Sequence, residues 1–531
     1  MSLLVRLRAS ATTTLSLATS IFALTGCALL SSASPASASR NQISIFEEPS
    51  IEDPGVPPAK IAQTLQTLRS LGVDMVRVGI NWSAIAPNGN SRTRPNFNAS
   101  DPNAYPAGAW QTYDRFLSYA NQYGMRVDFI VGGPAPLWAT QPGAPGCGMV
   151  GPAPVCYTNV WKPTASDYGQ YIRAVGAHFR SVHFWELWNE ANWGPSLAPQ
   201  TQGGTIVAAG MYRSLLDAGY NGLRSSGHGR DTIAAGNYTQ NGSAPPNATN
   251  SSAPVPFTRL LYCLTTSYRP LRGGAAQAVG CPTTNAGTRR FRGSHPSLFN
   301  ITGFGVHPYQ VFNPPTKADF PTKTGVEYSE IPNFLNVVDR LQRAYGSRKA
   351  MAVYNTEYGY QFPQPYGPPR AQATFANWLN LAEYIAWKNP RIGSYEQFGL
   401  VDPGWFKIGL ISESGTPKLT FYAYRMPIWL PSTSQRRRGA LEVWGDVRPA
   451  YFASSRRTAY IQWARGNSGQ FRTIKAARTN SHGYFDVRVK FPSSGQVRIA
   501  WQYPPGSSSL YNSLAPSQTW IYSRTTSISV R

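Results

Sequence analysis

Between Gln42 and Phe398 the chain alternates short apolar runs with amphipathic stretches, and it does so through eight cycles. The apolar runs fall at 42–47, 75–80, 125–131, 182–188, 232–235, 301–306, 350–357 and 392–398. Helical spacing separates most of them: Ile61, Leu65, Leu68 and Leu71 share a face over 57–72, where Gly72 is the stop, and similar patterns run over 109–124, 166–180, 206–225, 331–345 and 371–388. Such alternation implies parallel strands joined by right-handed crossovers, and eight units close a barrel. A doubly wound open sheet is the rival, but no Gly-rich phosphate turn follows the first strand. The expected fold is therefore a TIM (β/α)8 barrel over 41–426. A Pro/Gly/Asn-rich excursion at 237–300 interrupts it and is expected to wall one side of the barrel mouth.

After the barrel the period changes. Residues 427–438 (Pro-Ile-Trp-Leu-Pro-Ser-Thr-Ser-Gln-Arg-Arg-Arg) have linker composition. Apolar and polar residues then alternate with period two at 458–463, 485–491, 497–501 and 527–530, which predicts a small C-terminal β-sandwich of immunoglobulin or fibronectin type over 439–531.

The first 38 residues read as an export signal: Arg6 and Arg8 precede an apolar stretch without acids. Leu24-Thr25-Gly26-Cys27 is similar to a lipobox, with Cys27 as the lipid anchor; Ala36-Ser37-Ala38 is the competing cleavage pattern of a freely secreted protein. No later run is long and apolar enough to span a bilayer, so an extracellular or cell-surface protein is expected. The remaining cysteines are even in number, and their spacing predicts disulfides Cys147–Cys156 and Cys263–Cys281. Zinc is the alternative, but neither pair has ligand spacing and no His is adjacent.

The formal charge is +24. From Thr433 to Arg531, 15 Arg and Lys oppose Glu442, Asp446 and Asp486, a net of +12. A basic surface of this kind suits an acidic polysaccharide, an anionic membrane or a wall polymer, while the preference for Arg over Lys also looks like a coding bias. No nucleic-acid partner is expected.

Two of the apolar runs end in an acid: 182–188 leads into Asn189-Glu190, and 350–357 closes on Glu357. Strand C-termini open into a barrel's active-site mouth, so Glu190 and Glu357 are expected to face each other there. Paired carboxylates suit glycoside hydrolysis, one protonated to help the leaving oxygen and one ionised to attack. Glu190 lies among Trp185, Trp188 and Trp193, surroundings that raise a carboxyl pKa; Glu357 needs donors, which Arg77 and Tyr309 are placed to supply. Metal catalysis has little support, since the six His form no ligand-like cluster.

At these residues the chain resembles the clan A glycoside hydrolases, the group that includes families 5 and 39. The resemblance rests on Asn189-Glu190 at the fourth strand, Glu357 at the seventh, Arg77 on the second and His307-Pro308-Tyr309 after the sixth, and it extends to Gly409-Leu-Ile, Gly415-Thr-Pro-Lys418 and Phe421-Tyr-Ala-Tyr-Arg425. It implies an O-glycosyl hydrolase of the retaining type with Glu190 as acid/base, Asn189 on the sugar 2-hydroxyl, Glu357 as nucleophile, a carbohydrate substrate and no cofactor. One departure is the eighth strand, which lacks the Trp these enzymes place under the sugar; Tyr395, Phe398 or Trp405 is expected to take that part. Trp82, Trp138 and Trp193 are further substrate-binding candidates, with core or rim packing as the plain alternative, and His307 is either a substrate contact or a satisfied structural histidine. The competing functions are a transglycosidase and a non-catalytic carbohydrate-binding protein with a degenerate barrel.

Overall fold

The computed structural model describes residues 42–52, 55–150, 153–243, 247–365, 367–449, 458–503 and 520–531. The expected leader, with Cys27 and both cleavage patterns, lies outside the described residues. Eight parallel strands close into a barrel in chain order: β1 (Ile43–Glu47), β2 (Met75–Asn81), β3 (Arg126–Gly132), β4 (Phe184–Leu187), β5 (Thr232–Thr239), β6 (Gly303–His307), β7 (Ala352–Asn355) and β8 (Ile392–Phe398). Each is followed by a helix on the outside: α1 (Pro58–Ser70), α2 (Gln111–Gln122), α3 (Ala165–His178), α4 (Ala208–Ser225), α5 (Pro254–Leu261), α6 (Ile331–Ala344), α7 (Gln372–Lys388) and α8 (Leu419–Arg425). The helices form where apolar residues recur at three and four: Ile331, Phe334, Leu335, Val338 and Leu341 of α6 are all buried. The barrel's N-terminal end is filled by Ile45, Met75, Phe184 and Ala234, so the interior is a packed core and only the opposite end is open to chemistry.

Both disulfides form. Cys147–Cys156 ties the short hairpin Cys147–Val150 with Ala153–Cys156, and Cys263–Cys281 spans part of the long excursion. That excursion is more helical than its composition suggests, with Gly273–Ala278, Asn285–Ser294 and Ser297–Asn300 following α5. Most of it packs on the barrel's flank: Arg213 of α4 donates to the carbonyls of Val279 and Gly280, and Gln342 of α6 donates to Leu298 O. Only its first part borders the mouth, where Ser251 pairs with Trp193 and the Gly194 amide donates to Asn250 O.

The stretch 427–438 is not a free linker. Met426, Ile428 and Leu430 alternate inward into the second core, a strand pattern that the flanking prolines and arginines obscure. Ile428–Trp429 (β9) pairs antiparallel with Leu441–Asp446 (β11), and Ser434–Gln435 (β10) pairs with the last strand. With β12 (Thr458–Arg465), β13 (Arg472–Arg478), β14 (Tyr484–Val489), β15 (Gly495–Gln502), β16 (Trp520–Tyr522) and β17 (Thr526–Val530) these make two sheets, β9-β11-β14 and β10-β17-β15-β12-β13, with β16 also paired to β15. The smaller sheet is fastened to α7. Trp387 and Tyr384 pack on Trp444 and Tyr484, and the buried Arg448 bonds Glu383 at 2.6 Å while Tyr484 donates to the same carboxylate at 2.9 Å. A buried pair of this kind is costly to break because each partner leaves an uncompensated charge.

Candidate active site

Glu190 stands three residues past β4 on a turn that bends against its side chains. Trp188 (φ 75°) and Glu190 (φ 42°) both occupy the left-handed region, which costs a non-glycine residue about 1–3 kcal/mol. Strand β5 holds them there. Its register slips between Ala235 and Tyr238, and the bulge offers the carbonyls of Asn237 to the Glu190 amide (3.0 Å) and of Gly236 to the Ala191 amide (3.1 Å). Asn237 Nδ2 donates in turn to Trp188 O at 2.7 Å. Gly305 on the next strand makes room for this: a Cβ there would sit 1.6 Å from Asn237 Oδ1.

Glu357, two residues past β7, faces Glu190. Its Oε1 accepts from Arg77 Nη1 at 2.7 Å and its Oε2 from the Tyr309 hydroxyl at 3.0 Å. His307 Nδ1 lies between the two acids, 2.9 Å from Glu190 Oε1 and 3.3 Å from Glu357 Oε2. One carboxylate oxygen of each Glu and this nitrogen all lie within 4.8 Å of one another. Burial pushes the Glu190 carboxyl up to about 8, with Arg77 opposing, and holds the His307 imidazole down to about 4. The ring is therefore neutral, with Nδ1 facing both acids. Burial, reinforced by the Glu357 charge, also pushes the Tyr309 hydroxyl well up, so it remains a donor.

Arg77 supplies the expected donor to Glu357, but it is not open to substrate, as a substrate-binding residue would be. It is enclosed, and its five N–H groups are all taken: Nε and Nη2 by Glu186 (3.0 Å each), Nη2 by Asn189 Oδ1 (3.0 Å), and Nη1 by Glu357 and Glu47. It positions Glu357 and Asn189 instead. Around it the barrel interior carries Glu47, Asp128, Glu186 and Glu396, with Glu52 above. One guanidinium cannot neutralise so many acids. Burial accordingly drives Glu47, Asp128 and Glu396 well up and Glu52 up to about 8. Glu396 Oε1 accepts the Glu47 amide, and its Oε2 accepts the amide of Tyr358 beside the nucleophile candidate.

The expected aromatic platforms divide. Trp82 is fully buried, stacked on Tyr171 at 5.1 Å and edge-on to Trp138 at 6.2 Å; it is core, because its side chain turns outward under α3. Trp138 donates Nε1 to Pro87 O and takes Arg94 over its ring, so it packs the rim. Tyr395 is also excluded from the mouth. Its hydroxyl donates to Leu379 O of α7, which places it on the outward parity of β8 while Glu396 takes the inward one. His307 is wholly buried and serves the two acids, which is the structural alternative with a role at the site. Trp193 stays half-buried beside Glu190, its amide donating to Glu190 O at 2.8 Å. Trp405 is 55% exposed and leans on Phe406, which lies edge-on to both Tyr309 and Phe398 at 5.9 Å. The loop after β8 thus brings aromatic surface to the mouth in place of a strand-end Trp.

Among the described residues, two groups of side chains come close enough to hold a metal: Glu190, His307 and Glu357, and, at the far end of the barrel, His183, His228 and Asp231. In both, the imidazoles lie at hydrogen-bond distance from the carboxylates. His228 also places Nε2 2.9 Å from Gly176 O, so both its nitrogens are engaged.

No family model matches this chain, and no curated protein matches it. Solved structures do. Its neighbours in fold are glycoside hydrolases. A family 39 glycoside hydrolase from Bacteroides cellulosilyticus WH2 is 14% identical, with 86% of this chain and 80% of that chain covered and a TM-score of 0.46. A family 1 β-glucosidase from Thermotoga maritima is 14% identical over 69% of this chain and 85% of that one, at 0.43. The endo-β-1,4-mannanase from Thermotoga petrophila is 11% identical over 93% and 98%, at 0.39. At such identities and scores these likenesses carry no argument about activity; the fold is established by the closed eight-stranded barrel itself.

Proposed function

We propose that this chain is an exported retaining glycoside hydrolase that cleaves O-glycosidic bonds of oligo- or polysaccharides by double displacement. The observation that carries the reading is the facing pair of acids, with an oxygen of Glu190 within 4.8 Å of an oxygen of Glu357. That gap suits retention, where the carboxyls stand about 5 Å apart, and leaves no room for the water that an inverting pair holds at about 6.5–9.5 Å. The surroundings of the two acids differ in the sense the chemistry requires. Glu190, pushed up to about 8 by burial, keeps a proton for the leaving oxygen at neutral pH. Glu357 has each oxygen fixed by a donor, Arg77 on one and Tyr309 on the other, and its carboxylate is aimed at the anomeric carbon.

In the first step Glu357 attacks while Glu190 passes its proton to the departing oxygen, leaving a glycosyl ester on Glu357. In the second, Glu190 takes a proton from water, which attacks the anomeric carbon and releases Glu357. His307 faces both carboxyls through Nδ1 and steadies the charge as it moves between them. Asn189, its Oδ1 held by Arg77, turns Nδ2 to the sugar. Trp193 and Trp405 are the proposed stacking surfaces. Export rests on the leader at 1–38 and on the two disulfides, which belong to an oxidising compartment.

The test is a panel of aryl glycosides and wall polysaccharides, with wild type, Glu190→Ala and Glu357→Ala assayed side by side. Turnover in wild type alone supports the reading. A polysaccharide bound equally by all three proteins with no turnover contradicts it.

A further inference from the structure

The larger sheet of the C-terminal domain has one face in the core and one that the described residues leave open. Ala459, Ile461, Trp463, Val497, Ile499, Trp501 and Ile521 point inward. Strand alternation then puts Tyr460 and Gln462 of β12, Arg498 and Gln502 of β15, and Trp520 and Tyr522 of β16 on the other side. The smaller sheet lies against α7, so this face is the one turned away from the barrel.

Its chemistry is consistent. Tyr460 and Trp520 pack with ring centroids 5.7 Å apart, and Tyr522 is 39% exposed. Arg498 lies between two rings, 3.8 Å from the Tyr522 centroid and 4.0 Å from that of Phe471, with Nε donating to Gln462 Oε1 at 2.8 Å. This fixes a guanidinium edge beside exposed aromatic surface. The charge distribution is one-sided. All three acids after Thr433 stand on β11 and β14, where Glu442 and Asp486 meet Lys388 and Asp446 meets Arg448. The larger sheet has none, and on its edge strand β13 the exposed Arg478 pairs with Thr458 on the side of Tyr460, whereas Arg472 lies over the inward Trp463 and Lys475 donates to Arg488 O of the smaller sheet.

We propose that this face binds an extended polysaccharide bearing carboxylates. Sugar rings stack on Tyr460, Trp520 and Tyr522, the amides of Gln462 and Gln502 take hydroxyls, and Arg498 with Arg478 takes the carboxylates. The amide-rich surround and the fixed arginine favour hydroxylated rings with spaced anions. The surface does not depend on the barrel's activity, and its test does not use turnover.

The full-length protein is run in affinity electrophoresis through gels containing polygalacturonate, hyaluronate or neutral hydroxyethylcellulose. Retardation by at least one acidic polymer is expected, weakened by salt and absent with the neutral one. Tyr522→Ala and Arg498→Gln should each weaken it about tenfold or more, with an unchanged melting temperature. Arg488→Gln, an equal change of charge on the barrel-facing sheet, should leave it intact. No retardation by either acidic polymer overturns the proposal. So does equal weakening by Arg488→Gln and Arg498→Gln, which would show net charge alone, or tighter capture of single-stranded DNA or phosphatidylglycerol vesicles than of both polymers.

Discussion

Replacing Glu190 by Gln keeps its shape and removes its titration, and the structure sets both the size and the sign of the effect on stability. The folded protein raises this carboxyl from 4.5 to about 8, so folding takes up a proton between those limits. Stability contributed by this group is complete below about pH 4.5 and is lost as the pH rises towards about 8. Each decade is worth about 1.4 kcal/mol, so the whole window amounts to about 4–5 kcal/mol at most, and relaxation of the buried site reduces what is measured to a few. Urea unfolding of wild type and Glu190→Gln at pH 5, 7 and 9 reads the difference directly. The other raised acids titrate in both proteins and largely cancel. The variant should match wild type near pH 5 and exceed it by a few kcal/mol at pH 9. Kinetics give a second reading: kcat/KM of wild type should fall above about pH 8 as the acid loses its proton. A stability difference that stays flat from pH 5 to 9 would refute the assignment of a protonated Glu190.

Arg77→Met should cost about 3–5 kcal/mol or prevent folding, because Glu47, Glu186 and Glu357 lose their common cation; thermal melting of the purified variant checks this. Trp405→Ala should raise KM with little change in melting temperature, whereas Trp82→Ala, a fully buried ring, should lower stability by about 3–5 kcal/mol and is read by urea unfolding. Gly305→Ala should abolish turnover while the C-terminal domain keeps its fold, since the new methyl displaces Asn237 and releases the Glu190 turn; circular dichroism and the aryl glycoside assay separate the two effects. Dialysis against EDTA should leave turnover unchanged, because the roles at the mouth are filled by hydrogen bonds between His307 and the two acids.

The barrel was legible because its strands are buried on both faces and six of its helices show an apolar stripe, two patterns of different period; α5 was hidden in the Pro/Gly/Asn-rich excursion and α8 is too short to show a period. Glu190 and Glu357 were legible for a related reason: an acid that closes an apolar run has no place in a core. The same rule, applied to the end of the first run and to 392–398, points to Glu47 and Glu396, two buried acids absent from the sequence-based expectations. Parity was the harder matter. Tyr395 and Glu396 are neighbours on one strand, and only the register of β8 against β1 decides which faces in. Trp82 could not be assigned because its surroundings are Tyr168, Tyr171 and Trp138, brought together by α3 and a loop far apart in sequence. The bulge in β5 that holds the Glu190 turn left only Gly236-Asn237 as its trace, a pair more common in turns than in a barrel strand.

The central claim, that Glu357 is the nucleophile opposite the acid Glu190, is tested most directly by azide rescue. Glu357→Ala is incubated with the aryl glycoside that wild type turns over, with and without azide, and the product is identified by NMR. The account predicts negligible turnover without azide, restored turnover with it, and a glycosyl azide of inverted configuration, because the small anion attacks from the space the carboxylate vacated. An azide product of retained configuration, or a Glu357→Ala variant as active as wild type without azide, would contradict it.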